Sequence, residues 1–127
     1  MQDKQLFEYA VIRVVPRVER EEFLNVGIIL YCRSKKFLAC SYRLDQSKLQ
    51  VPCPTMDCGD VESHLRSFES ICKGDKGAGP IGSLDIASRF RWLTATRSTI
   101  VQTSKVHPGF CEDPQDKLQK LFEQLVL

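Results

Sequence analysis

The chain has 127 residues, a formal net charge of +2 at pH 7, 43% hydrophobic residues and 27% charged residues. This composition excludes a disordered chain, which would contain fewer hydrophobic residues. It also lacks the clear basic excess of a typical nucleic-acid-binding domain, so any basic surface has to come from local clustering. The length suits one hydrophobic core, and we expect a single domain over residues 1–127.

The sequence predicts a cytoplasmic protein with no membrane partner. Residues 1–8 are polar and lack the basic region and apolar core of a signal peptide. The longest apolar run, residues 23–32, is interrupted by Asn25 and Gly27 and falls short of the roughly eighteen residues that a spanning helix requires. In a reducing compartment the six cysteines are expected to be free thiols that behave as small apolar side chains.

The cysteines do not match the spacing of a zinc site. Such a site would use Cys53, Cys58 and Cys72, with His64 as a further ligand. Four residues separate Cys53 from Cys58, and no second closely spaced cysteine pair follows. We therefore predict no metal and no cofactor.

The first part of the chain predicts a three-stranded antiparallel meander. β-Branched and aromatic residues are dense at residues 7–15, 23–32 and 37–44, and the connections between these runs are short. Gly27 suits a bulge or a close backbone approach. Leu38, Cys40 and Tyr42 are expected on one face of the third strand, opposite Ala39.

The second part predicts mostly helices. We expect a helix over residues 60–72 capped by Asp60, a mobile glycine-rich loop at 73–82, and a helix capped by Ser83. A fourth strand at 97–103 precedes a last helix, in which Asp113 is the cap and Pro114 the first residue. The predicted class is α+β, with a mainly antiparallel sheet packed by about three helices.

Residues 88–109 contain four cations, one histidine and no carboxylate, which favours an anion-binding segment. The competing interpretation places Arg89 and Arg91 on a solvated helix face, paired with Glu62 or Glu69. The candidate ligand-binding residues are Asn25, Arg89, Arg91, Trp92, Arg97, Ser98, Thr99, Ser104, Lys105 and His107.

The aromatic and imidazole side chains have alternative interpretations. Trp92 could stack on a base, although a lone tryptophan beside Phe90 is more often a core anchor, which we favour. His107, in a turn over residues 106–109, is the best candidate for a general acid or base, but no recognisable nucleophile accompanies it. We place His64 on the apolar side of its helix.

Several blocks together resemble the signature of a bacterial family of domains of unknown function, number 3037 of that series. They are residues 7–16, 22–30 and 89–99, the 106–109 turn and the helix start at 112–114. The resemblance implies a small bacterial cytoplasmic protein of one domain, without an assigned activity or catalytic residue. Pro108 departs from the small hydroxylic residue expected there. The resemblance also implies a protein partner similar to toxin-type kinases of the HipA-like group.

Three functions follow as hypotheses. The first is a non-catalytic accessory module that docks on a partner protein through the glycine-rich loop or the basic segment. The second is a protein that binds nucleic acid or a phosphorylated ligand through Arg89, Arg91, Arg97 and Lys105. The third is an enzyme in which His107 is the acid or base and Arg97 stabilises a developing negative charge.

Overall fold

Two segments near the N-terminus that are rich in apolar residues form the longest strands of the sheet. The computed structural model describes residues 4–17, 22–44, 58–95 and 101–127. Strand β1 (Gln5–Arg17) pairs antiparallel with β2 (Glu22–Cys32), which pairs antiparallel with β3 (Phe37–Tyr42). The predicted meander is therefore confirmed, with β1 longer and β3 shorter than expected.

Two further strands share the other edge of β1. Strand β4 (Val101–Thr103) pairs with residues 12–14 of β1, and β5 (His107–Cys111) pairs with residues 5–9. The sheet order is β3-β2-β1-β4, with β5 also beside β1. The expectation of a turn at residues 106–109 was wrong, because His107, Pro108 and Gly109 belong to β5. Proline is accepted there because the strand lies at the edge of the sheet in the described part of the chain.

Four helices follow from the remaining described sequence: α1 (Cys58–Lys73), α2 (Gly79–Gly82), α3 (Ile86–Leu93) and α4 (Pro114–Leu125). The α+β class is confirmed. None of these helices combines the length and hydrophobicity that crossing a membrane requires.

The helix starts differ in part from those predicted. Asp113 caps α4 as expected, accepting the N–H of Gln115 at 3.0 Å. The cap of α3 is Asp85 rather than Ser83, because the Asp85 carboxylate accepts the N–H of Ser88 at 2.7 Å. Since α1 already begins at Cys58, Asp60 lies in its first turn.

The glycine-rich segment is more regular than the predicted loop. It forms a 3-10 turn at Lys76–Ala78 followed directly by α2. Gly82 is buried, and a side chain there would collide with the Cβ of Ala78. The segment is thus a packed connection between α1 and α3.

Helices cover both faces of the sheet, so the core has two clusters. Helices α1 and α3 pack on the face that carries Ala10, Ile12 and Val14, and α4 packs on the opposite face. The first cluster contains Ala10, Ile12, Val14, Val26, Ile29, Tyr31, Val61, Leu65, Phe68, Cys72, Phe90 and Leu93. The second contains Phe7, Val11, Ile28, Leu30, Cys32, Cys111, Leu118, Leu121 and Phe122.

Gly27 has both of its predicted roles. Ile12 pairs with Gly27 whereas Arg13 pairs with Asn25, so β2 contains an extra residue at this bulge. A Cβ at Gly27 would lie 2.5 Å from the carbonyl oxygen of Ser41. Glycine therefore allows β3 to approach β2 closely.

Candidate functional site

Arg89, a predicted anion-binding residue, lies against the glycine-rich connection. Its Nη1 donates a hydrogen bond to the carbonyl oxygen of Leu84 at 2.7 Å. A Cβ at Gly74 would be 3.1 Å from the guanidinium carbon, so Arg89 also packs closely on that backbone. The φ of Gly74 is +69°, a conformation that favours glycine. Arg89 thus helps to hold the end of α1 against the start of α3.

Arg91 joins α3 to the first strand. Its Nη2 lies 3.0 and 2.9 Å from the two carboxylate oxygens of Glu8. The expected partners of the arginines were wrong, because Glu62 and Glu69 pair with other cations on α1. Those cations are Arg66 at 3.7 Å and Lys73 at 3.9 Å.

Ser104 lies between β4 and β5, where its hydroxyl accepts a β1 backbone N–H in place of the carbonyl oxygen of a paired strand. Its Oγ accepts the N–H of Val11 at 2.8 Å, and its own N–H donates to the Val11 carbonyl oxygen at 2.9 Å. The residue is buried. Its hydroxyl therefore completes the hydrogen bonding of β1 where the neighbouring strand is interrupted.

The other members of the basic segment lie at the surface or outside the described residues. Trp92 is 38% exposed, so the core-anchor interpretation that we favoured was wrong. Lys105 is exposed. Arg97, Ser98 and Thr99 lie outside the described residues, and a shared anion pocket that includes them stays a prediction.

His107 and Asn25 lie on the α4 side of the sheet but have different neighbours. The His107 ring is 5.3 Å from the Tyr9 ring, its partner across the strand pair. Asn25 donates from Nδ2 to the carbonyl oxygen of Leu125 at 3.3 Å, and its Oδ1 accepts from Arg13 at 3.4 Å. Within the described residues, His107 has no hydrogen bond to a nucleophilic side chain, and its catalytic role stays a prediction.

The described thiols belong to the core. Cys32, Cys72 and Cys111 are buried free cysteines, as expected for small apolar side chains. A hydrogen bond with Cys40, together with burial, raises the pKa of Cys72, and burial raises the pKa of Cys111. Raised pKa values keep these thiols protonated at neutral pH, which makes them poor nucleophiles.

The residues of the rejected zinc site are only partly described. Cys53 and the side chain of Cys58 lie outside the described residues. His64 is exposed rather than on the apolar side of α1, which corrects the prediction. No three metal-ligating side chains are grouped among the described residues.

The largest feature that the sequence analysis missed is an exposed apolar surface on β1 and β5. Leu6 and Phe110 are direct partners across this strand pair, so their side chains project from the same face. Leu6 is 56% exposed and Phe110 67% exposed. Pro108, two residues before Phe110, is also exposed on this face. We call Leu6, Pro108 and Phe110 the open patch.

A groove of about 410 Å³ adjoins the open patch through Leu6. Its apolar lining includes Tyr31 and Ala87, and its charged lining comprises Glu8, Arg33 and Arg91. This volume falls within the range of ligand-binding clefts. The open patch and the groove together form a continuous surface of apolar and charged groups, with two arginines and one glutamate, between β1 and α3.

Comparisons with known proteins give one match. Neither the curated proteins nor the solved structures include a match to this chain. The family model described as a protein of unknown function, DUF3037, matches residues 9–126, which is most of the chain. The chain therefore belongs to the DUF3037 family.

Proposed function

We propose that this protein is a non-catalytic binding module that docks on a partner protein through the open patch. The observation that carries the proposal is the exposure of Leu6 and Phe110 side by side on the sheet, while the adjacent Phe7 and Cys111 are buried on its opposite face. Leaving large apolar side chains in water is unfavourable, and adjacent ones often mark an interaction site. A partner that covered both would remove this cost.

The surroundings of the open patch also support protein docking. Phe and Arg are common anchors of interfaces, and Phe110 and Arg91 border this surface. Because the two apolar residues belong to paired strands, the backbone holds them in place before binding, which reduces the entropy lost on association. The family resemblance suggests a kinase of the HipA-like group as the partner class.

The hypotheses of anion binding and catalysis receive less support from the described residues. Among the candidate anion-binding residues, Ser104 is already hydrogen-bonded to the β1 backbone and Arg89 to the carbonyl oxygen of Leu84. An anion would have to compete with those contacts. His107 lies beside the tilted ring of Tyr9 without a hydrogen-bonded nucleophile among the described residues.

Quantitative co-purification tests the proposal. Tagged wild-type protein and the variants Leu6→Ser and Phe110→Ser would be recovered from the native host at native abundance, and bound proteins measured by mass spectrometry. Leu127→Ser is the matched control, since Leu127 is 60% exposed and follows α4, which packs on the opposite face of the sheet. Thermal unfolding of each variant would verify its fold.

The expected result is a stoichiometric protein partner with the wild type and with Leu127→Ser, and its loss with Phe110→Ser. A partner retained equally by all the variants would contradict docking through the open patch. Recovery of salt-releasable nucleic acid instead of a protein would contradict the protein-binding proposal and favour the anion-binding hypothesis.

A further inference from the structure

We propose that the groove beside the open patch binds a carboxylate side chain of the partner, and that Arg91 is the group that receives it. This inference rests on the proposed function and specifies the partner's chemistry. The partner segment would combine an acidic residue with neighbouring apolar side chains. The apolar side chains would cover Leu6 and Phe110.

The geometry of Arg91 leaves one edge of its guanidinium available. Both oxygens of Glu8 lie against Nη2 alone, at 2.9 and 3.0 Å. A guanidinium carries five N–H donors in a fixed fork that fits two carboxylate oxygens in parallel. Among the described residues, the Nε and Nη1 of Arg91 have no hydrogen-bond acceptor. A second carboxylate can therefore approach this edge, or displace Glu8.

Glu8 is an exchangeable occupant of this site. The side chain of Arg91 is 57% exposed and that of Glu8 is 26% exposed. Water screens an ion pair whose cation is exposed, which limits its contribution to folding. Because the Arg91 side chain is more than half exposed, a partner carboxylate that is also held by apolar contacts can reach it and replace Glu8.

The remaining charges favour an acidic partner. Arg33 lines the same groove, and the turn that contains it also presents Lys35 and Lys36 to solvent. The described lining of the groove contains two arginines, Arg33 and Arg91, and one carboxylate, Glu8. An acidic segment would thus meet a surface of opposite charge, which favours both its association and its orientation.

The apolar lining of the groove favours a carboxylate that has apolar neighbours over an isolated carboxylate. Leu6, Tyr31 and Ala87 provide contact area beside the guanidinium groups. Apolar side chains next to the acid would bury this area, and burial would strengthen the charged hydrogen bonds by excluding water. The expected motif is therefore an acidic residue with aromatic or aliphatic neighbours.

Peptide titration of the ¹⁵N-labelled full chain tests this chemistry. The probe is the peptide Gly-Asp-Phe-Glu-Phe-Gly with blocked ends, and the matched control peptide has Asn and Gln in place of Asp and Glu. The readouts are the amide signals around Leu6 and Ala87 and the Nε signal of Arg91. We expect the acidic peptide to bind about fivefold or more tightly than the amide peptide, because its hydrogen bonds are charge-assisted.

Two variants should act in opposite directions. Glu8→Gln should tighten binding of the acidic peptide, because it removes the competing carboxylate. Arg91→Gln should abolish the preference for the acidic peptide. Arg66→Gln, which removes another exposed cation with a carboxylate neighbour, is the matched control and should leave the preference unchanged. Tighter binding by Glu8→Gln is a readout that a merely destabilised protein would not give.

Equal binding of the two peptides, or a preference that survives in Arg91→Gln, would overturn the inference. Its failure is distinguishable from that of the proposed function. One outcome is that Phe110→Ser loses the native partner whereas Arg91→Gln binds each peptide with the same affinity as the wild type. In that case the docking proposal stands and the carboxylate site is wrong. If Phe110→Ser keeps the partner, the docking proposal itself fails.

Discussion

The two halves of β1 are both rich in apolar residues but have different surroundings. In the half that pairs with β4, Ile12 and Val14 are fully buried beneath α1 and α3. In the half that pairs with β5, Leu6 occupies the same face and is mostly exposed. On this face, the layer formed by α1 and α3 covers the first half and leaves Leu6 exposed. We infer that the covered half stabilises the fold and that the uncovered half is available to a partner.

The largest difference between the halves should appear on truncation of a phenylalanine. Phe90 is fully buried, and its ring lies 5.2 Å from that of Tyr31. Phe90→Ala should lower the free energy of unfolding by about 3–5 kcal/mol, since it leaves a cavity. Phe110→Ala should change it by about 0.5 kcal/mol or less. Urea unfolding measures both, and similar losses would contradict the comparison.

The junction between the halves depends on the Ser104 hydroxyl. Ser104→Ala should destabilise the fold by about 1–3 kcal/mol, because the buried N–H of Val11 loses its acceptor. Ser63→Ala, at an exposed position of α1, is the control and should have almost no effect. If the two alanine variants unfold at the same urea concentration, the hydroxyl does not have this role.

The ion pair between Glu8 and Arg91, in the uncovered half of β1, should contribute much less to the free energy of folding than the Ser104 hydroxyl. Glu8→Gln should lower the free energy of unfolding by about 1 kcal/mol or less, because the Arg91 side of the pair is more than half exposed to water. The difference from the wild type should shrink further at about 1 M salt, where screening is strong. A larger, salt-independent loss of unfolding free energy would mean that the fold requires the Glu8–Arg91 pair. A partner carboxylate could then not replace Glu8.

The smallest expected effect concerns the cap of α3. Hydrogen bonds from the backbone and side chain of Ser88 lower the pKa of Asp85. A lowered folded-state pKa contributes stability above the ordinary aspartate value of about 3.9, and this contribution disappears as the pH falls through the folded value. Unfolding of Asp85→Asn should therefore show a slightly weaker acid dependence over that range. An identical pH profile would contradict the prediction.

Local patterns were sufficient to predict much of the covered part of the fold. Alternation placed Leu38 and Cys40 on one face of β3, and the Asp113-Pro114 pair marked the start of α4. These features depend on neighbouring residues along the chain. Gly27 was also informative, because a bulge and a close approach both favour glycine.

Features that depend on distant contacts could not be predicted in this way. Pro108 and Gly109 are typical of a turn, yet pairing with β1 makes them part of a strand. Trp92 resembles a core residue, but α3 turns it toward solvent. The open patch was missed because the first strand was predicted to begin at residue 7, after Leu6, and residues 106–109 were predicted to form a turn, so that nothing paired Leu6 with Phe110.

Hydrogen exchange measured by mass spectrometry on the partner complex tests the central claim most directly. The protein would be compared free and bound. Protection on binding should concentrate in peptides that cover residues 4–10 and 105–111, which contain the open patch, while β3 at the opposite edge remains unchanged. Protection confined to β3 or α4, with no change around Leu6 and Phe110, would contradict the account.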